Sequence, residues 1–250
     1  MIDAITLVFP ILLPIIFGVL PAVFRPLRQD RRQKPVVLAA LILNALFSIA
    51  VALRPGSSFT VVNLTEKLPI LLAADSVSRF FCAIVSVMYL LAGLFSFEYM
   101  KHENNRVRFY MAFLITLGML NGMGLAGNLM TLYLFFEALT LLSLPLVIHA
   151  MTKEAIAATF KYLFYSIAGS SLVLVGFFFV YNYSSSLEFS SIGVLDMGKL
   201  GGNENAMLVA SLLAIIGFGA KAGMFPLHGW LPSAHPVAPA PASAILSGVI

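Results

Sequence analysis

Residues 217–241 read GFGAKAGMFPLHGWLPSAHPVAPAP. The stretch runs out of an apolar segment and carries one lysine, Lys221, among the small residues Gly217, Gly219 and Gly223. It breaks at Pro226, presents His228, Trp230 and His235, and passes four prolines in ten residues, at 232, 236, 239 and 241. An ionisable side chain in an apolar helix, beside backbone that cannot stay helical, is the arrangement that lines ion and proton pathways in membranes. Elsewhere one acid, Glu137, sits equally deep in apolar sequence. The reading of the chain is built on that pair.

Composition agrees with a membrane setting. Of the 250 residues, 60% are hydrophobic and 10% charged, and the mean hydropathy is +0.96. Soluble domains carry about 25% charged residues. Repeated apolar runs of about 20 residues predict an all-α, polytopic transmembrane helix bundle rather than a β-barrel. The net charge of +4 comes from basic residues clustered at span ends, so it points to membrane topology and not to nucleic acid. The lone Cys82 excludes an internal disulfide and has no metal-ligand neighbours. The sequence has no phosphate-binding glycine loop, haem or iron–sulfur cysteine pattern, or nucleophile elbow. No cofactor or metal is expected, and electron carriers would belong to partners.

Outward from the break, seven spans and the start of an eighth can be placed, at about residues 4–24, 36–53, 76–98, 109–126, 129–150, 155–182 and 205–225, with a new run from about 240. The first reads better as an inserted span than as a signal peptide, because its positive charges follow the apolar run instead of preceding it. Between spans 2 and 3 the sequence is mixed, with strand-like patches and a partial apolar element, LPILLAA. Asp75 or Ser76 suits the cap of span 3. Residues 1–75 are thus an N-terminal pair of spans with an external loop, and 76–250 the core. Loops after the odd-numbered spans hold nine Lys/Arg (Arg25, Arg28, Arg31, Arg32, Lys34, Lys101, Arg106, Arg108, Lys153), against Arg54, Lys67, Arg79 and Lys199 on the other side. This asymmetry puts the N-terminus outside. The last run covers only about half of a 30 Å core. The chain is therefore expected to be a piece of a longer polypeptide, or a truncated gene product.

Glu137 lies about 12 Å into span 5 at 1.5 Å per residue. Burial disfavours its charge and a nearby cation favours it, so it either exchanges protons or stays a protonated interhelical hydrogen-bond donor. Lys221 either faces the interior or snorkels to the cytoplasmic surface. Lys161, about 9 Å into span 6, is either a pathway residue approaching Glu137 or an interfacial anchor. His228 and His235 suit a proton relay, or flank a Trp230 membrane anchor; their spacing fits no zinc motif. His149 closes span 5, as a gate or as an interface marker.

These residues carry a resemblance. The strings LYLFFEALTLLSLPLV (132–147), FKYLFYSIAGS (160–170) and GFGAKAGMFPLHGWLPSAHPVAPAPASAILSG (217–248) resemble the antiporter-like subunits shared by respiratory complex I, Mrp-type sodium/proton antiporters and membrane-bound energy-converting hydrogenases. The likeness spans about residues 70–250, and the wording after the break is closer to the Mrp and hydrogenase branches. It implies a fold of two inverted five-helix repeats, of which this chain holds the first. Glu137 matches the span 5 glutamate of the first half-channel and Lys221 the lysine of the broken span 7. Lys161 falls in the span 6 motif, and His228 and His235 become relay or gating positions. Family members continue past this end, with a second repeat. The expected function is translocation of H⁺, or its exchange for Na⁺, in a bacterial or archaeal cell membrane. The partners would be other membrane subunits of a redox-driven or Mrp-type complex. The alternative is a truncated, non-transporting assembly or scaffold subunit.

Overall fold

A computed structural model of the chain describes residues 2–65, 67–190 and 193–250, with the side chain of Asp30 outside the description. Among the described residues, seven helices are long and apolar enough to cross a membrane. They are α1 (Ile2–Val23), α2 (Asp30–Ala52), α3 (Ser76–Tyr99), α4 (Arg106–Gly124), α5 (Leu129–Val147), α6 (Lys153–Tyr183) and, after the four-residue α7 (Met197–Leu200), α8 (Glu204–Lys221). Two short helices follow, α9 (Leu231–Ala234) and α10 (Ala240–Gly248). The mixed segment between α2 and α3 is an antiparallel hairpin, β1 (Ser58–Asn63) and β2 (Pro69–Ala73), so the apolar element LPILLAA is largely a strand.

Local sequence starts and stops these elements. Asp75 caps α3 by accepting from the Ser78 N–H at 2.7 Å, Asn128 caps α5 through Thr131 N–H at 2.8 Å, and Thr152 caps α6 through Ala155 N–H at 3.1 Å. Asn128 also donates to the carbonyl of Pro69, and Thr131 accepts from the Leu71 N–H, so the hairpin is tied to the α4–α5 turn. At the other end of the bundle, Arg28 donates to the carbonyls of Pro21 and Ala22, which α1 leaves unpaired at its terminus.

Helix α1 stays continuous through Pro10, Pro14 and Pro21. Pro14 has no N–H to offer the carbonyl four residues earlier. Asn121 of α4 supplies the missing donor, reaching Pro10 O at 2.9 Å. The same Asn121 amide donates to Asn44 of α2 at 2.7 Å, and Asn44 donates to Ser86 of α3 at 3.0 Å. One buried polar node therefore joins four helices where lipid offers no substitute partner.

Small residues set the close approaches. Gly18 of α1 and Gly118 of α4 face each other's helices, while Gly169 and Gly176 of α6 pack on Gly217 and Ala214 of α8. The α6–α8 pairing is the most extensive in the fold, and it fixes where the last turn of α8 sits. A Cβ on Gly217 would lie 2.4 Å from the Gly169 carbonyl oxygen, which is backbone and cannot swing aside. Gly217→Ala is expected to force α6 and α8 apart and to cost about 1–3 kcal/mol. A lowered thermal unfolding midpoint of the purified variant in detergent checks this, and an unchanged midpoint contradicts it.

Candidate ion site at the end of a broken helix

Helix α8 ends five residues before Pro226. Sequence reading carries the helix to about residue 225; the structure stops it at Lys221. Gly223 adopts φ +71°, the Met224 N–H reaches back to Gly219 O at 2.8 Å, and the Gly223 N–H bonds Ala220 O at 3.3 Å. This is a Schellman ending, and it needs the left-handed glycine rather than a proline. Trp230 adds a third device: its indole N–H donates to Ala220 O at 2.9 Å. At 2% exposure Trp230 is a core residue that closes the helix end, not a membrane-surface anchor.

The ending holds Lys221 in the last helical turn, where the helix's partial negative charge favours a cation. Lys221 is 5% exposed and points inward instead of snorkelling. Its ammonium donates to the carbonyl of Phe136 at 3.1 Å and to the hydroxyl of Thr140 at 2.5 Å, and lies 4.4 Å from the centroid of the Phe136 ring. Phe136 and Thr140 are one turn apart on the buried stripe of α5. Phe136 is about 10 Å from the start of α5, so the lysine head lies at depth in the apolar span.

Glu137 follows Phe136 and points to a different side of α5. Its Oε1 is buried without a hydrogen-bond partner, and its carboxylate interacts with the hydroxyl of Tyr133, one turn earlier. Glu137 and Lys221 are coupled electrostatically. Among the described residues, however, no ion pair joins them; the pairs present are Asp3–Arg54, Glu98–Lys101 and Asp196–Lys199.

The histidines share a cavity lining with Lys221. His228 is exposed and stacks on Phe225 with ring centroids 5.6 Å apart. His235 is half-buried; its Nδ1 lies 2.9 Å from the Ser243 hydroxyl, and its ring stacks on Trp230. Lys221, His228 and His235 line one open cavity of about 920 Å³, with Trp230 between them and the end of α10 as one wall. Lys161 is placed apart: it is exposed on α6 and donates to Ser233 of α9 at 3.0 Å, not toward Glu137. His149 is buried, and its carbonyl accepts from Arg108. Sequence reading overlooked Thr140. Tyr162 bonds Ser143 at 2.8 Å and packs its ring on Trp230 at 4.9 Å. The spacing of Thr140, three residues after Glu137, was the available signal.

A bundle with seven helices long and apolar enough to cross a membrane, among the described residues, defines an integral membrane protein, and the sequence comparisons say of which family. Residues 126–250 match the family described as NADH:quinone oxidoreductase/Mrp antiporter, TM, and residues 63–110 match NADH-Ubiquinone oxidoreductase (complex I), chain 5 N-terminus. The chain belongs to the NADH:quinone oxidoreductase/Mrp antiporter membrane family. It is 37% identical over 204 residues to Hydrogenase-4 component B of Escherichia coli (strain K12), covering 81% of this chain and 29% of that one. It is 30% identical over 183 residues to a Na(+)/H(+) antiporter subunit of Bacillus subtilis (strain 168), covering 72% and 36%. In fold it is similar to a chain of the membrane-bound sulfane sulfur reductase, an archaeal respiratory membrane complex (TM-score 0.76, 24% identity, 97% of this chain and 49% of that one). It is likewise similar to a chain of the Mrp complex from Dietzia sp. DQ12-45-1b (TM-score 0.77, 22% identity, 99% and 46%). The chain spans 29% to 49% of the length of these and a further curated relative.

The Lys221 contacts make a direct prediction. Thr140→Val keeps the shape of the side chain and deletes the hydroxyl, leaving a buried ammonium one acceptor short. The expected loss is about 1–3 kcal/mol. It should appear as a lower thermal midpoint for Thr140→Val, with Thr140→Ser close to the unsubstituted protein. Equal midpoints for the Val and Ser variants would show that the hydroxyl does not hold the lysine.

Proposed function

We propose that this chain forms the first half of a proton-translocating unit in a multisubunit membrane complex of a bacterial or archaeal cell membrane, with its N-terminus outside. The observation that carries the reading is Lys221: a buried lysine on the last turn of a broken helix, held by α5 one residue before Glu137 and lining an open cavity with two histidines. A buried lysine in hydrocarbon surroundings is costly, and the two acceptors that α5 offers it support a role for that group.

In this reading Lys221 and Glu137 exchange protons. The two groups feel each other's charge but are not locked in an ion pair. A proton arriving at one therefore alters the occupancy of the other without first breaking a direct contact. The unpartnered Oε1 of Glu137 is an acceptor that a water or a cation can fill. His228 and His235 line the cavity through which protons reach Lys221. Lys161, bonded to Ser233 beside the break, steadies α9 rather than joining the exchange. The relatives named for Na(+)/H(+) exchange support the family of reactions, and Na⁺ is the alternative coupled ion.

Glu137→Gln and Lys221→Ala, each in the intact complex reconstituted into vesicles, are expected to lower proton translocation by at least about tenfold. Subunit assembly should be unchanged. Wild-type translocation rates in both variants, with normal assembly, would reject the roles assigned to them.

A further inference from the structure

A second cavity, of about 560 Å³, opens where the end of α1, the turn after it and the start of α4 meet. It is far in sequence from the Lys221 site and shares no lining residue with it. Its polar wall includes Arg28, Gln33, Arg106 and Arg108, its apolar wall includes Ala22 and Met111, and among the described side chains no carboxylate lines it.

Two of these side chains hold buried donors with no protein acceptor. Gln33 is 1% exposed and its Nε2 has no hydrogen-bond partner; Arg108 also has a buried Nε without one. Arg108 is not adrift, because its other arm is fixed on the His149 carbonyl. Arg28 is likewise held in place by the α1 terminus. A buried unsatisfied donor costs about 1–3 kcal/mol. Two such donors around one pre-positioned, cationic cavity call for a ligand rich in acceptors and negative in charge. A phosphate diester meets both needs, since its oxygens match the guanidinium fork.

The position selects the kind of phosphate. The cavity lies at the junction of apolar spans and the basic turn, the level at which headgroups meet protein. Beside it the end of α1 and the residue after it leave Val23 and Phe24 63% and 54% exposed, a surface suited to an acyl chain. A zwitterionic headgroup would bring an amine with no acid among the described lining side chains to receive it. We propose that this cavity binds the phosphate of an anionic phospholipid, with Gln33 and Arg108 as the hydrogen-bond donors and Arg28 and Arg106 adding charge.

The full chain, purified and stripped of lipid, can be titrated with phosphatidylglycerol, phosphatidylcholine and glycerol 3-phosphate, with bound lipid counted by native mass spectrometry. Phosphatidylglycerol is expected to bind at least about tenfold more tightly than phosphatidylcholine, and Gln33→Met and Arg108→Gln are each expected to remove about that factor. Glycerol 3-phosphate should not displace the lipid. Equal affinity for the two lipids, or unchanged phosphatidylglycerol affinity in a folded variant, would overturn the site. Displacement by glycerol 3-phosphate at equal concentration would overturn the lipid in favour of a soluble phosphate. Arg108→Gln also loosens the His149 turn; should it not fold, Gln33→Met alone carries the test. For that variant, the rise in thermal midpoint that phosphatidylglycerol gives the unsubstituted chain should disappear.

Discussion

Everything around the break depends on keeping one ammonium group at depth in an apolar bundle. A lysine there needs acceptors supplied by protein, because hydrocarbon supplies none. Lys221 obtains them from a backbone carbonyl and a hydroxyl of α5 and from an aromatic face, and it sits on the negative end of its own helix. Each contribution requires α8 to stop at that residue and to lie at that distance from its neighbours. The glycine contacts with α6 set the distance, and the left-handed Gly223 sets the stop. Trp230 then covers a carbonyl that the stop exposes. Moving the ending by one turn would separate the lysine from Thr140 and leave a charged group without partners.

The N-terminal helices meet the same constraint without a charge. Prolines in α1 free carbonyls, and Asn121 answers one of them while tying α2 and α3 into the same node. Asn121 keeps its own Oδ1 unpaired, but the node holds no charged group and ties four helices together, so it reads as architecture. The Lys221 site has charge and access: an acid nearby keeps an unpaired buried oxygen, and the lysine lines an open cavity. Incomplete satisfaction next to an opening separates a site from a scaffold more sharply than polarity does.

Much of this was legible in the sequence because the bilayer enforces simple rules. The spans followed from length and hydropathy, and Asp75 announced itself as a cap. Glu137 and Lys221 stood out as ionisable groups at depth, and the fold brings their helices together. Other features depended on tertiary contacts that no local pattern encodes. Pro226 drew the break downstream, although Gly223 was the residue able to adopt positive φ and end the helix. Trp230 looked like an interfacial anchor by residue type, whereas its partner carbonyl exists only because α8 stops at Lys221. Lys161 has the right depth along α6 to meet Glu137, but it lies on the exposed face of the helix and turns to Ser233. Depth is readable from residue count; the azimuth of a lone cation on an almost wholly apolar helix is not, because the pattern that would report it is missing.

The azimuth also bears on how the proposed exchange would work. Thr140 and Phe136 occupy the face of α5 turned to α8, and Glu137 is rotated away from it beside Tyr133. Were Glu137 on the inner face, it would meet the ammonium directly. At about 4 Å and an effective dielectric near 20, a unit pair gains about 4 kcal/mol, and that contact would have to be broken in every cycle. The hydroxyl of Thr140 and the carbonyl of Phe136 are neutral acceptors that hold the lysine without claiming its charge. They leave the carboxylate close enough to sense that charge, yet free to take a proton from another direction. On the proposed reading, therefore, the neutral pair on α5 is what lets two buried charges be coupled without being trapped.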